Sequence, residues 1–150
     1  MLQLRPARPD EAETLTELCL QSKAVWGYDD AFMRACRAEL TLTEGDCATP
    51  LIQVAADGDA VAGVVQVTID GEAADLAKLF IAPGTLRAGI GRQLFGWAVT
   101  TARAHGARWM TIDADPGAAG FYRRMGALDD GTAPSGSIPG RVLPRLKLQL

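Results

Sequence analysis

Gly89 and Gly91 are the residues of this 150-residue chain whose type and spacing point most directly to chemistry. They stand in G-T-L-R-A-G-I-G, residues 84–91, between D-L-A-K-L-F-I-A-P and R-Q-L-F-G-W-A-V-T-T-A-R. Leu76 to Ala82, closed by Pro83 and Gly84, is a strand candidate. Ile90, Leu94, Trp97, Ala98 and Thr101 then recur at helical spacing. A glycine turn between strand and helix lets backbone approach a ligand closely, because no Cβ intervenes. The helix start adds unpaired N–H groups and the positive end of its dipole. The chemistry these features offer is the holding of a phosphate-bearing anion.

Spacing separates the phosphate loops that could be present. Gly84 and Gly89 fit a G-x-x-x-x-G-K-[ST] loop, but Ile90 and Gly91 occupy the Lys and Ser/Thr places. No side chain would then hold a terminal phosphate or magnesium. Gly89 and Gly91 also begin a G-x-G-x-x-G fingerprint, but Leu94 stands at the third glycine. On its own the loop is equally compatible with an ordinary strand–turn–helix corner.

The whole chain must supply the frame for that corner. With 48% hydrophobic and 22% charged residues it has the composition of a soluble globular domain. Its length suits a single domain, residues 1–150, with a sizeable core. The net charge is −3 with basic residues scattered, which argues against a nucleic-acid partner. No apolar run approaches 18 residues and no leader pattern follows Met1, so the expectation is a cytoplasmic protein with no membrane partner. Cys19, Cys36 and Cys47 with the one His105 make no zinc pattern, so no metal is expected.

Leu2 to Ala7 alternates as a strand, and Pro9-Asp10-Glu11 starts a helix that Asp10 could cap. Its apolar stripe breaks at Ser22. A second helix is expected from Asp29 or Asp30 to about Leu40, then a loop from Thr41 to Pro50. Beyond Leu51 the period becomes strand-like. Leu51–Ala56 and Ala60–Ile69 form a hairpin about Asp57-Gly58-Asp59, and Asp70-Gly71-Glu72 turns into the strand ending at Pro83. After the glycine loop come a helix to about His105 with Gly106 as its stop and a strand over Arg108–Ala114. A helix over about Pro116–Met125 and strands at Ala127–Thr132 and Val142–Leu150 complete the chain.

The stretch L-R-A-G-I-G, Leu86 to Gly91, resembles [Q/R]-x-x-G-x-[G/A], the pyrophosphate loop of the GNAT superfamily of acetyl-CoA-dependent N-acetyltransferases. The segment A-D-P-G-A-A-G-F-Y-R-R-M-G-A resembles that family's N-P-x-A-x-x-F-Y-x-x-x-G-[FA], with Ala118, Phe121, Tyr122 and Gly126 at the matching places. The order of elements is also the family's. Two departures stand out: Leu86 replaces Gln/Arg and Asp115 replaces Asn. The resemblance implies an α+β fold of mixed strands and helices. A mostly antiparallel twisted sheet of about seven strands would have a parallel central pair and about four flanking helices.

The resemblance also implies roles. Leu79, Phe80 and Ile81 would offer backbone groups to the pantetheine arm of acetyl-CoA, the cosubstrate. The amides of Arg87, Ala88, Gly89, Ile90, Gly91 and Arg92 would hold its pyrophosphate. Asp115, Ala118 and Phe121 would lie beside it, although an ionised Asp115 can only accept hydrogen bonds. Tyr122 would protonate the departing thiolate. Asp75 is the first choice as general base, with Glu72 and Glu39 as further candidates. Trp26, Tyr28, Ser135, Ser137 and Arg141 would wall the acceptor pocket, Arg141 suiting an acceptor that carries a carboxylate as well as an amine. The implied function is acetyl transfer from acetyl-CoA to a primary amine of a small molecule. The alternative is a catalytically degenerate domain that binds acyl-CoA as a sensor or interaction module. GNAT proteins are often dimers, and the sequence leaves the oligomeric state, homodimer included, open.

Overall fold

A computed structural model describes residues 2–85 and 89–150. One seven-stranded mixed sheet forms the body, in the order β1-β2-β3-β4-β5-β7-β6. The strands are β1 (Leu2–Pro6), β2 (Ile52–Asp57), β3 (Ala60–Asp70), β4 (Ala73–Ile81), β5 (Trp109–Asp113), β6 (Leu128–Pro134) and β7 (Val142–Gln149). The helices are α1 (Ala12–Ala24), α2 (Asp30–Leu40), α3 (Glu44–Cys47), α4 (Ile90–Ala104) and α5 (Ala119–Arg124). All neighbouring pairs are antiparallel except β4 and β5, which are joined through α4 and run parallel. The fold expected from the resemblance is the fold observed.

Local details differ from the sequence reading. Asp10 does not cap the first helix. A 3-10 turn at Pro9–Glu11 precedes α1, and the Glu11 carboxylate accepts from the Arg8 backbone N–H at 2.9 Å. α1 runs two residues past Ser22, because Ser22 and Lys23 leave the core while the backbone stays helical. The expected loop 41–50 contains α3, closed by reciprocal hydrogen bonds between Thr43 and Asp46. That turn makes five α-helices among the described residues, against about four expected. α5 has six residues, with the preceding turn at Asp115–Ala118 held by its own hydrogen bond. α4 ends as expected at Gly106, which is left-handed at φ 88° while Ala107 N–H reaches back to Ala102 O at 3.0 Å.

Two apolar clusters lie on opposite faces of the sheet. Ile90, Leu94, Phe95 and Ala98 of α4 pack with Val65, Val67, Leu76, Met110 and Ile112. Leu15, Leu18 and Cys19 of α1 and Cys36 and Leu40 of α2 pack with Ile52, Val54 and Val64. Burial pushes the Cys19 thiol up to about 12, which leaves it a packing residue. α4 approaches β3 so closely that a Cβ at Gly63 would come within 2.9 Å of Leu94 and 3.2 Å of the Phe80 carbonyl oxygen. Gly63→Val is therefore expected to destabilise the protein by about 1–3 kcal/mol through overpacking, measured by urea denaturation. An unchanged midpoint would disprove the close approach.

β4 carries the feature that makes the site. Gln66 and Val67, adjacent on β3, face Lys78 and Leu76 on β4, so Ala77 is an extra residue. A bulge bends its strand and re-aims the side chains beyond it. Ala74 and Leu76 face the α4 cluster before the bulge, and Leu79 and Ile81 face it afterwards. The parallel ladder to β5 meanwhile covers only Ala73–Trp109, Ala74–Met110 and Asp75–Thr111. From Leu76 onward β4 and β5 part.

Candidate active site

The gap between the parted strands opens into a cleft of about 460 Å³, a size suited to a small ligand. One wall is β4 from Leu76 to Ile81, whose backbone edge toward β5 is unpaired there. The opposite wall is Ile112 to Asp115 with the start of α5, and Gly91 of α4 also lines the cleft. Ser22 and Lys23 from the end of α1, Trp26 just beyond it and Glu39 from α2 line it as well. An unpaired strand edge offers N–H and C=O groups to an extended ligand that carries amides of its own.

The expected cofactor residues divide into three groups. Leu79, Phe80, Ile81, Gly91, Asp115, Ala118 and Phe121 all line the cleft. Gly89 precedes α4 at φ 103°, a left-handed conformation that suits glycine. The Ile90 side chain is buried in the core, and Arg92 is exposed on α4 outside the cleft lining. Leu86, Arg87 and Ala88 lie outside the described residues. A Cβ at Gly91 would rest 3.5 Å from the Phe121 ring, so the space between α4 and α5 is already narrow there.

Tyr122 lines the cleft from α5. Its ring packs on Phe95 and Phe121 with centroids 5.7 and 5.2 Å apart. Burial raises its pKa, so the phenol keeps its proton at neutral pH. Among the described residues its hydroxyl has no hydrogen-bond partner, and it is free to donate to a ligand.

The three candidate carboxylates separate clearly. Asp75 sits at the last rung of the parallel ladder, one residue before the cleft lining begins, and accepts from Thr111 Oγ1 at 2.8 Å. Burial raises its pKa, the Thr111 bond opposes that rise, and the Asp113 charge adds to it. Glu72 is exposed in the β3–β4 turn, 3.9 Å from Arg108. Glu39 lines the cleft, and the Ser137 hydroxyl donates to its carboxylate.

Beside Lys23 and Asp115 of the cleft lining lies a cluster that binds three segments together. Asp115 accepts from the Tyr28 hydroxyl at 2.5 Å and, through its other oxygen, from Gly117 N–H at 3.0 Å. Arg141 donates to the same Tyr28 hydroxyl at 2.7 Å and stands 3.6 Å from Asp115. Lys23 is 3.7 Å from Asp115. Tyr28 stacks on Phe32 at 3.9 Å, and both cations lie over these rings. Burial, then the Asp115 hydrogen bond, raises the Tyr28 pKa.

Of the expected acceptor residues, Trp26 lines the cleft and lies on Gly117, where a Cβ would come within 2.6 Å of its ring. Tyr28 and Arg141 stand behind the lining, held to Asp115. Ser137 reaches it through Glu39. Ser135 organises its own loop, accepting from Ser137 N–H and Ile138 N–H. Lys23 also lines the cleft, within the stretch Ser22 to Tyr28 that carries the expected Trp26 and Tyr28.

The chain matches the family model described as the acetyltransferase (GNAT) family over residues 12–127. No curated protein matches it. Among solved structures it is similar to the PaiA N-acetyltransferase of Thermoplasma acidophilum in complex with coenzyme A. The identity is 16% and the TM-score 0.82, over 100% of this chain and 99% of that one. A GCN5-related N-acetyltransferase of Rhodopseudomonas palustris follows at 22% identity and TM-score 0.78, over 99% and 95%. YncA of Salmonella typhimurium, solved with its cofactor acetyl-CoA, gives 19% and 0.68, over 99% and 94%.

Proposed function

The chain belongs to the GNAT acetyltransferase family, and from that premise we propose that it transfers an acetyl group from acetyl-CoA to the primary amine of a small molecule. The observation that carries this reading is a neutral phenol, Tyr122, lining a cleft whose β4 wall is an unpaired strand edge. That edge and the space beside Gly91 suit an amide-bearing arm with a phosphate at the α4 start. The cleft volume of about 460 Å³ is in the range of small-molecule sites.

Acetyl-CoA supplies an activated thioester. The amine must first lose a proton, and its nitrogen then attacks the thioester carbonyl carbon within a ternary complex. A C–N bond forms and the C–S bond breaks. Tyr122 gives its proton to the departing sulfur, and the second proton lost by nitrogen restores the phenol, so one proton is released overall. β4 backbone N–H groups facing the gap are suited to hold the carbonyl oxygen as charge builds on it.

The test combines titration calorimetry with acetyl-CoA and an amine panel assayed by release of free CoA. Binding and turnover of at least one amine are expected. Gly91→Val should weaken acetyl-CoA by filling the gap beside Phe121, in a variant that still folds. Unchanged affinity in that variant would place the cosubstrate elsewhere. Binding without turnover of any amine would turn the reading to an acyl-CoA sensor.

A further inference from the structure

Among the charged groups that line the cleft, Lys23 and Glu39 are of opposite sign and keep unused hydrogen-bonding capacity, as the cations Lys78 and Arg124 also do. Lys23 lines it with 15% of its side chain exposed. Its nearest carboxylate oxygen, on Asp115, is 3.7 Å away, beyond hydrogen-bond reach. Arg141 stands at 3.6 Å from the same oxygen, so two cations share one carboxylate. That carboxylate is already committed to the Tyr28 hydroxyl and Gly117 N–H. Lys23 therefore brings a positive charge with three donors and no hydrogen bond to spend them on among the described residues.

Glu39 is the counterpart. Asp113, which also lines the cleft, is bound to Arg145 at 2.7 and 3.1 Å, and Asp115 has its two cations. Glu39 has no ion pair among the described residues. Its one partner among the described residues is the Ser137 hydroxyl, which leaves the carboxylate with further lone pairs at the cleft lining.

We propose that the acceptor is a small amino acid, its ammonium held by Glu39 and its carboxylate by Lys23. This rests on the acetyl-transfer reading above and assigns its substrate class. A zwitterion carries a charge opposite to each group, whereas a plain amine gives the Lys23 ammonium nothing beyond Asp115 and a polycation is repelled by it. Each charge-assisted bond is among the stronger polar contacts available to a small ligand. An ammonium at Glu39 also has a carboxylate to which one proton can pass, leaving the neutral nitrogen that attack requires. Ser137 is a positioning residue in this arrangement, since it touches Glu39 and not the acceptor.

The experiment uses α-, β- and γ-amino acids, each paired with its decarboxylated amine, assayed by CoA release at fixed acetyl-CoA. The wild-type protein is expected to prefer the best amino acid over its amine by about tenfold or more in kcat/KM. Lys23→Met should shrink that ratio at least about fivefold by losing the carboxylated member. Glu39→Gln should lower kcat/KM for both members by about tenfold or more, with the calorimetric acetyl-CoA Kd unchanged. Preference for the decarboxylated amines, an unchanged ratio in Lys23→Met, or full activity in Glu39→Gln would overturn the proposal. Equal loss on both members in Lys23→Met would make Lys23 a structural prop and overturn it too. If the wild-type protein binds acetyl-CoA and acetylates nothing in the panel, the functional reading itself falls and takes this one with it.

Discussion

Tyr122→Phe is expected to lower kcat by about 10²-fold or more, the usual range for a lost general acid. Acetyl-CoA affinity should change little. The two effects separate because the ring and the hydroxyl do different work. The ring is buried against Phe95 and Phe121, and a phenylalanine keeps those contacts. The hydroxyl bonds no described residue, so its removal leaves no buried partner behind and stability should hardly move. What is lost is the proton that would meet the thiolate. Burial keeps that proton on the phenol across the physiological range, so the wild-type rate should show no fall near neutral pH from its ionisation. Single-turnover measurement of CoA release, with calorimetry on the same variant, decides the matter. A fully active Phe variant would mean that water protonates the sulfur and Tyr122 serves as packing.

Much of the frame was legible because it rests on short-range signals. The hairpin turns at Gly58 and Gly71 and the Gly106 stop are local, and each stands where its residues put it. The F-Y pair of α5 reached the cleft for the same reason: Phe121 and Tyr122 follow a turn whose residues dictate it. Long-range pairings gave no such signal. Tyr28 and Asp115 are 87 residues apart, and Tyr28 and Arg141 are 113 apart. Nothing near Arg141 says that it will stand behind the cleft beside Asp115 while Lys23 lines it. The Ala77 bulge was equally hidden, since a slip of one residue between two apolar strands leaves their composition unchanged. That bulge is nevertheless where β4 turns away from β5 and the cleft begins.

The same distinction applies at the base of α1, where Asp10 was the plausible cap and Glu11 is the residue used. Glu11 is 6% exposed. It receives Arg5 at 2.8 and 2.7 Å in a two-pronged pair and the Arg8 N–H at 2.9 Å. Arg5 lies on β1, so the pair fixes the angle at which α1 leaves the sheet, and α1 carries Ser22 and Lys23 to the cleft. Breaking a fully buried pair costs about 3–5 kcal/mol; Arg5 is a quarter exposed, so Glu11→Ala is expected to cost about 2 kcal/mol. The pH dependence follows from the sign of the shift. The Arg5 hydrogen bonds outweigh burial and hold the Glu11 pKa below its ordinary 4.5. A lowered folded pKa gives stability that is fully present above the unfolded value and disappears as pH falls through the folded one. Urea denaturation of wild type and Glu11→Ala should therefore show the full gap at pH 7 and a closing gap below about pH 4.5. A gap of equal size at pH 7 and pH 3 would mean that the loss comes from packing around Ala12 and not from the carboxylate.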